Sequence, residues 1–191
     1  MNLILTDLPG VVLLQPKVWG DARGFFMETY SEKLFAELGI STRFVQDNHS
    51  LSGRGTLRGL HFQLLHPQAK LCRVVKGKVL DVAVDVRIGS PHFGKSVAVE
   101  LSEENKTQIF VPRGFAHGFV VLSEEAEFLY KCDDVYHPED EGGVMWNDPH
   151  LNIDWRLQEH GITIPLLSKK DAQNRLLQDI AHDELPQFET K

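Results

Sequence analysis

The chain has 191 residues, of which 27 are acidic and 20 basic, giving a formal net charge of −7, and 42% are apolar. That length suits one domain of ~150 residues plus an extension, and the apolar share can fill a core, so global disorder is excluded. The acidic balance speaks against nucleic-acid binding through bulk charge, and runs such as Val11-Val12-Leu13-Leu14 are far shorter than the ~20 residues of a membrane span.

Asp7 and Pro9 interrupt the opening run, so no secretory leader is expected. Cys72 and Cys132 form neither CxxC nor CxxH spacing and read as small buried thiols of a cytoplasmic protein. In chain order, residues 1–50 are expected to form strands and one short helix, capped by Ser31, carrying Leu34, Phe35 and Leu38, and stopped at Gly39. Strand-like runs follow at Leu71 to Val75, Val79 to Arg87, Lys95 to Leu101, Gln108 to Val111, Gly118 to Leu122 and Glu127 to Cys132. Val79 to Arg87 alternates most cleanly, with Leu80, Val82, Val84 and Val86 on one face and Asp81, Ala83 and Asp85 on the other. A second helix is expected from about Lys169, with Leu176, Leu177 and Ile180 on one side and a capping box at Ser168 and Asp171, inside a helical segment 165–191. Close strands without intervening helices point to an antiparallel sandwich or barrel in a single domain 1–191.

The charge is partitioned. Arg54 to Lys78 holds six basic residues and no acid, whereas Ser123 to Glu141 holds eight acids and one base. A basic stretch can be a solvated sheet edge. Its interleaving with Leu57, Leu60, Phe62, Leu71 and Val74 equally suits a half-buried sheet that presents cations to a compact anion. Within it, Arg58 and His61 lie three apart and would face opposite sides of a regular strand. Gly59 between them can supply a bulge that turns both into one cavity.

Pro112 to Phe119 has the PxGxxH spacing, ending at His117, that small double-stranded β-helix barrels use at a turn into the cavity, and here the chain resembles the cupin superfamily. Metal-binding cupins usually offer HxH in the first motif; this chain has His61-Phe62-Gln63. With Gln63 in place of the second histidine, a three-ligand metal site is not evident, and no metal or other cofactor is expected. A metal-dependent cupin would have His61, His66 and His117 as its obvious ligands.

The resemblance narrows on six phrases in order: Gly20 to Glu28, Phe44 to Ser50, Leu57 to Gln63, Pro112 to Phe119, Phe128 to Lys131 and Trp146 to Pro149. Together they resemble the dTDP-4-dehydrorhamnose 3,5-epimerase family over about Leu5 to Leu177. The resemblance implies a cupin-type jelly-roll barrel with short peripheral helices, a metal-independent isomerase and a dTDP-sugar substrate. It also implies a homodimer that exchanges N-terminal strands, with no nucleic-acid or membrane partner. Ala69 stands before Lys70 where many relatives have Gly.

Epimerisation beside a C4 ketone needs a base, an electrophile at the ketone oxygen and an acid on the opposite sugar face. The resemblance assigns His61 as base, Asp171 as its partner, Lys70 as the cation at the enolate oxygen and Tyr130 as the acid. Each has a plainer reading as a structural histidine, a helix cap, an exposed strand lysine or a packing tyrosine. Arg23 and Arg58 suit phosphate oxygens. Gln46, Asp47 and Asn48, with Glu28, His117, Glu141 and Lys170, are the remaining matched contacts, and Phe26 or its neighbour Phe25 can stack on the base. The competing functions are a C3-only epimerase and a non-catalytic cupin that binds a sugar nucleotide.

Overall fold

A computed structural model describes residues 1–188. The strands are β1 (Asn2–Leu5), β2 (Val12–Gln15), β3 (Val18–Asp21), β4 (Gly24–Met27), β5 (Gln46–Gly53), β6 (Leu57–Gln63), β7 (Lys70–Lys76), β8 (Lys78–Asp85), β9 (Ser96–Ser102), β10 (Gln108–Val111), β11 (Phe115–Val121), β12 (Glu125–Cys132) and β13 (Glu141–Gly143). They form two antiparallel sheets, in the orders β1-β2-β10-β7-β12-β5 and β13-β6-β11-β8-β9, and a separate ribbon of β3 and β4. The sheets pack as a jelly-roll barrel. Non-sequential neighbours such as β10 and β7, or β6 and β11, give it the interleaved order that consecutive hairpins would not.

Between the sheets lies a core that includes Cys72 and Val74 of β7, Ala83 of β8, Ile109 of β10, Phe119 of β11 and Phe128 of β12. The outer face of the second sheet is covered as well. Leu60, Leu80, Val82, Val84 and Val120 pack there against Leu151, Trp155, Ile162, Leu177 and Leu185 of the C-terminal segment. That second layer explains why β8 is buried on both faces and carries few polar residues. Asp81 and Asp85, expected on the polar side, are both fully buried. They are tolerated because each is paired: Asp81 with His117, and Asp85 with Arg87 and Ser90.

The helix α1 (Glu32–Glu37) has Ser31 as N-cap, its hydroxyl accepting the Leu34 N–H, and Phe35 buries against Val12, Leu14, Leu71 and Phe110 on the outside of the first sheet. The expected second helix does not form. The segment makes three short 3-10 turns, Asp171–Gln173, Leu177–Asp179 and His182–Glu184. The physical reason is competition for backbone groups. The Arg175 carbonyl accepts from the Met145 N–H at 2.8 Å, and the Leu177 N–H donates to Asp148 Oδ2 at 2.7 Å, so the chain is sewn across the barrel rather than onto itself. Residues 189–191 of the expected helical segment lie outside the described residues. No helix among the described residues is long and apolar enough to cross a membrane.

Candidate active site

A cavity of about 480 Å³ opens between the sheets. Alternate residues of β5 (Gln46, Asn48, Ser50) and β12 (Phe128, Tyr130) line one wall with Lys70, and Arg58, His61 and His117 line the other. Period-two alternation thus gathers side chains from positions far apart in sequence onto one inner surface.

Arg58 and His61 share the cavity because β6 carries one extra residue. His61 pairs with His117 and Arg58 with Phe119, so that Gly59 and Leu60 on β6 stand opposite Gly118 alone on β11. Gly59 sits at φ +118°, and a Cβ there would lie 2.6 Å from both Gly118 Cα and the His117 carbonyl oxygen. The bulge expected from the sequence is present, and only glycine fits it.

The His61 ring is flanked by two carboxylates. Nε2 lies 2.5 Å from Asp171 Oδ1, and Nδ1 lies 3.6 Å from Glu141 Oε1. Burial works to raise the Asp171 pKa, but the hydrogen bond and charge of His61, with the Ser168 hydroxyl, outweigh it and hold the carboxyl below its ordinary range. An ionised Asp171 only accepts, so Nε2 carries the proton and the Nδ1 lone pair is free. Asp171 also makes the cap contact, since its N–H donates to Ser168 Oγ at 3.0 Å and that hydroxyl donates to Oδ2 at 2.9 Å. Asp171 thus contacts His61 through one oxygen and Ser168 through the other, although the helix that the cap would begin does not form.

Glu141 receives Lys170 Nζ, and the Tyr136 hydroxyl donates to it at 3.0 Å. Burial again pulls upward, and Lys170, His61 and Tyr136 together keep its pKa low. Burial raises the Tyr130 phenol to about 12, which keeps it protonated near neutrality. Among the described residues Arg58 bonds only neutral Ser52 Oγ, at 3.1 and 3.0 Å, and no carboxylate compensates its charge beside the cavity. Lys70 pairs with no carboxylate among the described residues. Two bare cations in a half-enclosed cavity favour an anionic guest.

His117 points its Nε2 at both Asp81 oxygens, 2.9 Å each, and Cys72 Sγ lies 3.9 Å from the same nitrogen. His61 and His117 share the cavity wall, but the three histidines weighed as metal ligands do not converge on one ligand cluster among the described residues. His61 is engaged by Asp171, His117 by Asp81, and His66 stacks on His137 with ring centres 4.0 Å apart. Burial drives the Cys72 thiol well above its ordinary range and Cys132 to about 11, which fits inert core thiols.

Not every matched residue reaches the cavity. Arg23 is 90% exposed and paired with Asp21 on the β3–β4 ribbon, Phe26 is 70% exposed on the same ribbon, and Glu28 follows it, also exposed. Asp47 faces the outer side of the first sheet, where it binds Lys131 at 2.8 Å; it alternates with Gln46 and Asn48 and so points away from them. Sequence reasoning missed Gln68, Tyr136 and Ser168 on the lining and Asp81 behind His117. Asp81 had a signal, a lone acid inside an apolar strand; Tyr136 lies in an aperiodic acidic loop and had none.

A family model described as dTDP-4-dehydrorhamnose 3,5-epimerase matches residues 5–179. The chain belongs to the dTDP-4-dehydrorhamnose 3,5-epimerase family. The member from Pseudomonas aeruginosa is 56% identical over 173 residues, 90% of this chain and 93% of that one. Among solved structures, dTDP-6-deoxy-D-glucose-3,5-epimerase RmlC from Legionella pneumophila, in complex with dTDP-4-keto-L-rhamnose, is similar with TM-score 0.95 and 50% identity over 99% of both chains. ChmJ, a 3'-monoepimerase from Streptomyces bikiniensis in complex with dTDP-quinovose, is similar with TM-score 0.87 and 33% identity, over 95% of this chain and 91% of that one. Family membership accounts for the jelly-roll barrel and for the isomerase class of the chain.

Proposed function

We propose that the chain epimerises dTDP-4-dehydro-6-deoxy-α-D-glucose at C3 and C5 to dTDP-4-dehydro-β-L-rhamnose. The observation that carries the chemistry is the His61–Asp171 contact, which leaves one basic nitrogen of His61 beside a cavity that also holds an acid, Tyr130, and a cation, Lys70. Both target carbons flank the C4 ketone, so one enolate chemistry serves both.

His61 Nδ1 removes the proton, and the imidazolium that forms is stabilised by Asp171 at one nitrogen and Glu141 near the other. Lys70 meets the enolate oxygen, where a positioned cation in a partly dry pocket is worth ~3 kcal/mol. Tyr130 returns a proton from the wall opposite His61. A phenol at about 12 is still far more acidic than the C–H of a ketone, so that transfer runs downhill. Two donors on opposite walls are what inversion requires, since His61 alone returns its proton to the face it left.

Arg58, Lys170, Gln46, Asn48 and His117 bind the nucleotide and sugar. Tyr136, half exposed at the mouth, offers a ring face to the thymine. Arg23, Phe26 and Glu28 act from the partner of a homodimer. The β3–β4 ribbon supports that reading, because it exposes Val18, Trp19, Phe25 and Phe26, a cost that a second copy would relieve. The chain works in the cytoplasm as one epimerase domain, without metal.

The test is turnover in deuterated water with the downstream reductase trapping product. The double epimerase puts deuterium at C3 and C5, whereas label at C3 alone would make the chain a monoepimerase like ChmJ. His61→Asn is expected to abolish exchange at both carbons while dTDP still binds.

A further inference from the structure

Gln63 occupies the position where metal-binding cupins carry the second histidine of HxH, and nothing in the reaction uses it. It is 5% exposed, and both ends of its amide are engaged. Oε1 accepts the His137 N–H at 2.9 Å, and Nε2 donates to the His66 carbonyl at 2.7 Å. These partners lie on two different loops. Residues 64–69 bring in Gln68 and lead to Lys70, and residues 133–140 carry Tyr136 and lead to Glu141.

The two loops are joined at further points. The Asp140 carboxylate accepts the Leu65 and His66 N–H groups at 2.7–2.9 Å, and the His66 and His137 rings stack. The amide before His137 is held too, because the Tyr136 N–H donates to Gln46 Oε1 at 3.0 Å. Two glutamine carbonyls from different strands therefore grip consecutive peptide groups, and the side chain between those grips is the tyrosine at the cavity mouth.

We infer that Gln63 is a positioning residue, the buried clasp that fixes both rim loops and thereby sets the nucleotide end of the cavity. Only an uncharged side chain with one donor and one acceptor at the ends of a flexible stem can serve both loops at once. His61 touches this network only through Glu141, which accepts the Tyr136 hydroxyl, and its shorter ring contact, Asp171, lies outside it. Losing the clasp removes the partners of the His66 carbonyl and the His137 N–H, both part-buried bonds, and lets the rim loosen, which acts on binding more than on proton transfer. The inference rests on the epimerase reading for its substrate, and dTDP alone serves as the binding probe.

Gln63→Met keeps the length and stem of the side chain and removes both hydrogen bonds. In the full-length chain we expect the calorimetric Kd for dTDP and the KM for dTDP-4-dehydro-6-deoxy-α-D-glucose to rise about tenfold, with kcat within about threefold of wild type. A side chain that merely stabilises the fold would lower Tm and the active fraction without moving KM. A folded Gln63→Met with Kd and KM within about twofold of wild type, or with kcat lost at constant KM, overturns the inference. If Gln63→Met does not fold, half-buried Asp140→Ala decides, with Kd and KM expected to rise about threefold or more and unchanged values overturning the clasp. Wild type assayed alongside separates the two claims. If it binds dTDP and fails to turn over, the epimerase reading is wrong, and the dTDP comparison still judges the clasp.

Discussion

Replacing Asp171 by Asn is the most informative perturbation of the dyad, because it conserves shape while removing the charge and changing which partner may donate. In the native site Oδ2 accepts the Ser168 hydroxyl at 2.9 Å and Oδ1 accepts from His61 Nε2 at 2.5 Å. The Asn oxygen is expected to keep the Ser168 hydroxyl, turning the amide NH₂ toward His61. Nε2 must then accept, so the ring proton moves to Nδ1 and blocks the nitrogen that faces the cavity. Restoring the productive tautomer breaks that new bond, at ~1–1.5 kcal/mol, and the charge-assisted bond to the imidazolium is lost, at ~2–3 kcal/mol. The sum of ~3–4.5 kcal/mol corresponds to a fall of about 10²–10³ in kcat. A stopped assay coupled to the reductase, with dTDP affinity measured in parallel, reads this directly. A variant within about fivefold of the wild-type kcat would refute the assignment of tautomer and base.

Other outcomes follow from the same geometry. Tyr130→Phe is expected to keep solvent exchange at carbon and to block completed inversion, seen by NMR as labelled substrate without product; wild-type product formation would remove Tyr130 from the acid's role. Lys70→Met should cost about 10²–10³ in kcat with dTDP binding retained, and a kcat near wild type would show that the enolate oxygen is stabilised elsewhere. Gly59→Ala forces a Cβ to 2.6 Å from backbone on the neighbouring strand and should destabilise the fold by at least ~2 kcal/mol, a Tm fall of about 4–8 °C by calorimetry. Asp171 and Glu141 have pKa values below 3.8 and 4.5, their unperturbed values. Their contribution to stability is thus fully present above those values and is lost as pH falls through the lower folded ones. Tm should therefore drop as pH falls below about 4.5, less steeply in Glu141→Gln, and an equal slope in that variant would contradict the linkage.

How much was legible in the sequence varies with the physics. The core strands were readable because alternation is local: β10 matches its expected bounds, and β7, β8, β9 and β12 extend or shift by one or two residues. The Gly59 bulge was readable because a glycine between Arg58 and His61 has few other uses on a strand. The C-terminal helix was misread, since its apolar spacing is real but its backbone groups are claimed by Met145 and Asp148, which no local pattern reveals. The dyad was ambiguous for a related reason, as the sequence could not show that Asp171 has an oxygen for each role. Arg23, Phe26 and Glu28 matched the family motif while sitting on or just after a ribbon that stands away from this chain's own cavity, and a motif match carries no information on where the backbone puts a residue.

The account turns on one base acting at two carbons. Incubating wild type and His61→Asn with dTDP-4-dehydro-6-deoxy-α-D-glucose in deuterated water, and locating the label by NMR after reductive trapping, tests this most directly. The account predicts deuterium at both C3 and C5 with wild type and at neither with His61→Asn. Label confined to C3, or exchange undiminished in the variant, would contradict it.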